Sequence, residues 1–146
     1  MVRVAINGFG RIGRRVFRLL LSHPTIEVVV INDVADTKTL AHLLKYDSIH
    51  GTLKNSISCD DSHLIIDSHA IPVLNKTHPK DLNWNPYKVD VVIEATGKFK
   101  TQKELTHHIN NGAAKVILSV PPLDDDLKTI VLGVNDNVLD TKKDII

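Results

Sequence analysis

The sequence predicts an α/β fold built on a doubly wound, mainly parallel sheet. Three observations carry this: short β-branched runs alternate with helical patterns, a glycine triplet fills the first turn, and an acid closes the second strand. Val2 to Ile6 is the first such run, and Ile6-Asn7-Gly8-Phe9-Gly10-Arg11-Ile12-Gly13-Arg14 then sets three glycines at Gly-x-Gly-x-x-Gly spacing. Gly8 permits the tight turn out of the strand. Gly10 lets the backbone approach an anion closely, and Gly13 lets helix and strand pack together. Ile12, Val16, Phe17, Leu19 and Leu20 recur at helical spacing until His23-Pro24 ends the helix. Ile26 to Ile31 is a nearly unbroken apolar run, as a parallel strand covered on both faces requires, and it ends at Asn32-Asp33.

Alone, such glycines also serve ordinary turns, and an acid after a strand can be a simple cap. Here strand, glycines, helix, strand and acid fall in register within about 30 residues, the length of a β-α-β unit. A helix starting at the glycines aims its free N–H groups and positive dipole end at a phosphate, which makes this a Rossmann-type dinucleotide site. Asp33 lies about 20 residues past the last glycine, where a carboxylate accepts hydrogen bonds from ribose hydroxyls. It would repel a 2′-phosphate by roughly 4 kcal/mol per charge pair at ~4 Å and an effective dielectric of about 20, before salt screening. NAD is therefore expected over NADP.

Further along, Asp36 can cap a helix carrying Leu40, Leu43 and Leu44. Ser56 to Ser58, Leu64 to Ile66 and Ile71 to Leu74 read as short strands of a small antiparallel excursion between the parallel units. Asn75 to Lys88, with two prolines, reads as a loop that anchors Trp84 against the core. Val89 to Glu94 resumes the parallel pattern and ends at Ala95-Thr96-Gly97, small groups at the strand end where open α/β sheets bind ligands. Thr101 and Glu104 have capping-box spacing for the next helix, and Gly112 suits its C-terminal turn. Lys115 to Leu118 and Thr129 to Leu132 read as further strands, and Asp144-Ile145-Ile146 as the opening of one more.

At 146 residues, 42% hydrophobic and 24% charged, the chain is expected to form one domain with a real core. With 18 Lys+Arg against 17 Asp+Glu its formal charge is +1, and with scarce aromatics this argues against nucleic acid as a main partner. No apolar run approaches the ~20 residues that span a bilayer, so no membrane partner is expected. A single cysteine and the absence of a signal-peptide layout point to a cytoplasmic setting.

Several motifs together resemble the N-terminal, NAD-binding half of phosphorylating glyceraldehyde-3-phosphate dehydrogenase. They are Ile6 to Arg14, Asn32-Asp33, Lys45-Tyr46-Asp47-Ser48-Ile49-His50-Gly51, Glu94 to Gly97, and Gly133 to Asn135, and the likeness runs the whole length. The resemblance implies that the amides of Gly10, Arg11 and Ile12, next to Gly8, hold the pyrophosphate, and that Asn32 and Asp33 hold the adenosine side. It implies that Val34 and Phe99 flank the adenine, that Thr96 and Gly97 line its pocket, and that Ser119 lies near the nicotinamide ribose. Thr77 stands near the adenine where the family often has Arg, and Glu-Ala-Thr-Gly replaces its usual Glu-Ser-Thr-Gly.

In that family a Cys thiolate, activated by a His, attacks an aldehyde; hydride passes to NAD and phosphate releases the acyl group. The motif with that Cys is expected just past Ile146, so no catalytic residue is expected in residues 1–146. The domain alone is expected to bind NAD without turnover, and to meet a small-molecule substrate only through the catalytic half. The complete enzyme is expected to be a homotetramer. Cys59 is no substitute, because it falls in the antiparallel excursion among Ser58, Asp60 and Asp61. His107-His108 is read as a solvated helix face and not as a metal site, since adjacent helical side chains diverge, and no metal is expected. His50 is read as a structural hydrogen-bonding residue. Erythrose-4-phosphate dehydrogenase shares these motifs, and a non-catalytic binding module is the alternative of another class.

Overall fold

The computed structural model describes residues 1–140, 142, 143, 145 and 146. The β-branched runs form strands β1 (Val2–Asn7) and β2 (Ile26–Asn32), with helix α1 (Arg11–Leu20) between them and helix α2 (Thr37–Lys45) after them. Strands β3 (Ile57–Cys59), β4 (His63–Ile66) and β5 (His69–Leu74) follow, then β6 (Val91–Glu94), helix α3 (Gln102–Asn110) and β7 (Lys115–Leu118). They make one seven-stranded sheet in the order β3-β4-β5-β2-β1-β6-β7. Pairings among β5, β2, β1, β6 and β7 are parallel, whereas β3-β4 and β4-β5 are antiparallel. The expected excursion is therefore an edge ribbon, and its last strand re-enters the main sheet by pairing Val73 and Leu74 with Ile31 and Asn32 of β2.

Two cores sandwich the sheet, because successive side chains of a strand point to opposite faces. Val4, Ile6 and Ile31 join Phe9, Phe17, Leu40 and Leu44 under α1 and α2. Ala5, Val30 and Val92 join Trp84, Leu105 and Val116 on the α3 side. Trp84 has no exposed surface, as its anchoring role predicts. The caps also form as read: Asp36 accepts the Thr39 N–H at 2.8 Å, and Thr101 and Glu104 close a capping box on α3.

Two expectations fail. Thr129 to Leu132 forms no strand: Asn135 accepts the Val131 N–H at 2.6 Å and donates to the Thr129 carbonyl at 2.9 Å, so a side chain supplies the bonds a ladder would have made. His108 is not on a solvated face but fully buried. Of the proposed terminal strand, Asp144 lies outside the described residues; Ile145 forms a parallel bridge to Val116 beyond the β7 edge. Among the described residues no helix is long and apolar enough to cross a membrane.

Candidate cofactor site

The chain leaves β1, builds β2 on one side of it, and returns through the ribbon to build β6 on the other. That reversal opens a crevice at the carboxyl ends of β1 and β6, the place where ligands bind in open α/β sheets. Gly8 closes its floor. Its φ is +93°, and a Cβ there would lie 2.6 Å from the Thr96 amide nitrogen. Gly13 seats α1 on the strand, since a Cβ there would lie 2.1 Å from the Gly8 carbonyl oxygen. Gly10 is different: its φ of −73° suits any residue, and a Cβ would meet nothing within 4 Å. The space beside it is left by the fold.

The start of α1 faces that space with unused donors. The first helical amide with an acceptor is that of Arg14, bonded to the Gly10 carbonyl at 3.0 Å, and no acceptor among the described residues meets the N–H groups of Arg11, Ile12 or Gly13. No side chain caps the helix and its first turn has no acid. Instead it carries Arg11 and Arg14, whose positive charges oppose the helix dipole by about 0.3–1 kcal/mol each, a cost that a bound anion reverses. Arg14 donates to the Phe9 carbonyl at 2.9 Å and so steadies the loop. Burial lowers its pKa, with Asp47 and Asp33 acting in the opposite direction.

Asp33 ties the two loops of the crevice together. One oxygen accepts the Phe9 N–H at 2.7 Å and the other the Ala35 N–H at 2.9 Å. A carboxylate has about four acceptor positions, so capacity remains for ligand hydroxyls. Asn7, Gly8, Gly10, Asn32, Asp33 and Val34 line a cleft of about 160 Å³ here. Thr77, Thr96 and Phe99 close its other wall, with Lys76, His78 and Lys98, which the sequence reading did not single out. The Phe99 ring rests against His78 with centroids 5.0 Å apart. Whole small-molecule sites run to about 300–1,000 Å³, so this cleft accounts for one end of a long ligand. Larger grooves of about 540 and 400 Å³ lie by α1 and by α3, but neither contains a glycine-loop residue.

The remaining residues named from sequence, Arg11, Ile12, Gly97 and Ser119, do not line that cleft. Arg11 and Ile12 stand at the helix start with exposed side chains, so their amides are what they offer. Gly97, at φ +70°, turns the loop after β6. Ser119 donates its N–H to the Glu94 carbonyl at 3.0 Å, and its buried Oγ has no partner among the described residues.

Beneath the crevice runs a buried polar chain that sequence reasoning missed. Glu94, at the end of β6, has no exposed surface. One carboxylate oxygen accepts the Thr96 N–H at 2.9 Å and the Thr96 hydroxyl. The other accepts Asn7 Nδ2 at 2.5 Å and meets His108 Nε2 at 3.0 Å. Trp84 Nε1 donates to His108 Nδ1 at 3.1 Å. Since i and i+1 side chains diverge on a helix, His108 turns inward to Glu94 while His107 stacks edge-on against His78 at 5.7 Å. Elsewhere His50 is exposed and packs its Nδ1 3.3 Å from Asp47, and Cys59 is half-buried and free.

A winding reversal, a glycine turn pressed on the neighbouring strand end and a helix start with unused amides define a Rossmann-type nucleotide-binding domain. The comparisons with known proteins agree: residues 2–102 match the family described as glyceraldehyde 3-phosphate dehydrogenase, NAD binding domain. The chain belongs to that family. It is 48% identical to the glyceraldehyde-3-phosphate dehydrogenase of Geobacillus stearothermophilus, over 97% of this chain and 42% of that protein. With the Thermotoga maritima enzyme the identity is 46%, over 100% and 44% respectively. With that of Streptomyces coelicolor it is 48%, over 95% and 41%. The chain thus spans less than half the length of these relatives.

Proposed function

We propose that this chain binds NAD across the β1–β6 crevice and, in the complete enzyme, serves the oxidative phosphorylation of glyceraldehyde 3-phosphate to 1,3-bisphosphoglycerate. The observation that carries the cofactor reading is the unfilled space at Gly10, flanked by three helix-start amides without acceptors. The amides of Gly10, Arg11 and Ile12 bind the pyrophosphate. Asn32 and Asp33 orient the adenosine ribose, Asp33 from a carboxylate already fixed by Phe9 and Ala35, and Asp33 disfavours a 2′-phosphate. Val34 and Phe99 flank the adenine between the walls formed by Thr77, Thr96 and Gly97. Ser119, whose buried hydroxyl has no partner among the described residues, lies near the nicotinamide ribose.

When bound, NAD supplies the hydride acceptor. The thiolate that attacks the aldehyde belongs to a catalytic half outside residues 1–146. Cys59 sits in the edge strand β3, separated from β1 by β4, β5 and β2, so it cannot reach the crevice. The exposed Leu132 and Val134, 83% and 78% accessible, support burial of this face against further parts of a homotetrameric enzyme. A thermal-shift titration tests the cofactor reading, because a ligand that binds only the folded state raises Tm by mass action. NAD is expected to raise Tm with no aldehyde oxidation by residues 1–146. No shift at millimolar NAD removes the cofactor reading, and phosphate-dependent turnover by these residues removes the assignment of chemistry elsewhere.

A further inference from the structure

The buried chain beneath the crevice has a direction, and both of its ends fix it. At the cleft end the Lys76 backbone sets the Asn32 amide: Lys76 N–H donates to Asn32 Oδ1 at 2.9 Å, and Asn32 Nδ2 donates to the Lys76 carbonyl at 2.9 Å. Asn32 Nδ2 also donates to Asn7 Oδ1 at 2.7 Å, so the Asn7 amide must turn its Nδ2 donor toward Glu94. At the far end the Trp84 indole can only donate, so His108 Nδ1 must accept and the ring proton sits on Nε2, again aimed at Glu94. The Thr96 N–H is a third donor with no choice of direction. Every chain of bonds terminates on one side chain.

We propose that Glu94 is a positioning residue for the cofactor. Its full carboxylate is the common acceptor that holds Asn7 and Thr96 in their cleft orientations and, through Asn7, braces the Asn32 amide set by Lys76. The inference rests on the NAD reading above. Both oxygens are required, because donors converge on each: Asn7 and His108 on one, the Thr96 amide and hydroxyl on the other. An isosteric amide would turn an NH2 group onto donors whichever way it faced. Neither Asn7 nor His108 can flip to relieve it without breaking the bond to Asn32 or Trp84. A carboxylate needed only to fill the core would have no such consequence for ligand affinity.

The test compares wild type, Glu94→Gln and Trp84→Phe by calorimetric titration with NAD and with AMP, at a temperature where all are folded. Glu94→Gln is expected to weaken both ligands by about tenfold or more, since the disturbed residues line the adenosine end. Trp84→Phe, which removes the far donor and part of a buried ring but touches no cleft residue, is expected to lower Tm while leaving NAD affinity within about threefold. If Glu94→Gln lowers Tm but binds NAD as wild type does, Glu94 is structural only and the proposal fails. If wild type itself does not bind NAD, it is the cofactor reading that fails. Nitrogen-15 NMR of His108 in the unaltered protein decides the case should Glu94→Gln not fold. An acceptor Nδ1 with a protonated Nε2 is expected, and the opposite tautomer overturns the proposed direction.

Discussion

The glycine loop and the Glu94 chain form the same crevice by opposite means. In the loop, the backbone shapes the wall and the side chains of Asp33 and Arg14 brace it: Gly8 and Gly13 lack side chains because Thr96 and the Gly8 carbonyl occupy their places, while Gly10 leaves its place open. Under the crevice, side chains do the work, and five residues from β1, β2, β6, α3 and the loop before β6 hold one another by hydrogen bonds. The loop offers backbone atoms that every residue has. The chain beneath depends on the chemical identity of each member. It follows that glycines of one motif should respond to the same substitution in different ways.

The largest effects should come from filling the occupied glycines. Gly8→Ala and Gly13→Ala each force a Cβ against backbone, and Gly8→Ala adds a positive φ; each is expected to cost about 4 kcal/mol or more, read as loss of the cooperative urea transition. If either folds with near-normal stability, the packing account of these glycines is wrong. Asp33→Ala comes next. It strips acceptors from the Phe9 and Ala35 N–H groups and is expected to cost about 1–3 kcal/mol in denaturant melts, while narrowing the preference for NAD over NADP. Unchanged stability would mean that the carboxylate does not brace the loops.

Gly10→Ala sharpens the contrast most. With nothing within 4 Å of the new Cβ, it should cost under about 1 kcal/mol of stability, the scale of an N-cap change. The smallest effect concerns Asp47, whose carboxyl is lowered to about 2 by the N–H groups of His50 and Ile49. Because the folded value lies below the unfolded one, near 3.9, its contribution is complete above about pH 4 and is lost as pH falls through about 2. Asp47→Asn should flatten that part of the acid-stability curve, and an unaltered curve would contradict the hydrogen-bond origin of the shift.

What could be read from sequence follows the same division. Features made by the backbone and by local spacing were legible: the glycine turn, the strand ends at Asn32-Asp33 and Glu94, and the caps at Asp36 and Thr101, whose donors lie three residues away. The Glu94 chain was not, because its members come from residues 7, 32, 84, 94 and 108 and only the fold makes them neighbours. His108 carried one signal, a helical position three residues past the buried Leu105. The Thr129–Leu132 run misled because its β-branched pattern is intrinsic, whereas a strand needs a partner; Asn135 bound that backbone first.

Calorimetric titration of NAD into wild type and Gly10→Ala, paired with their melting temperatures without ligand, decides what the space at Gly10 is for. Saturable one-to-one binding to wild type is expected, with affinity lower by about tenfold or more in Gly10→Ala and nearly equal melting temperatures. Equal NAD affinity in the two proteins, or none in wild type, would contradict the claim that the space at Gly10 is kept for the cofactor's phosphates.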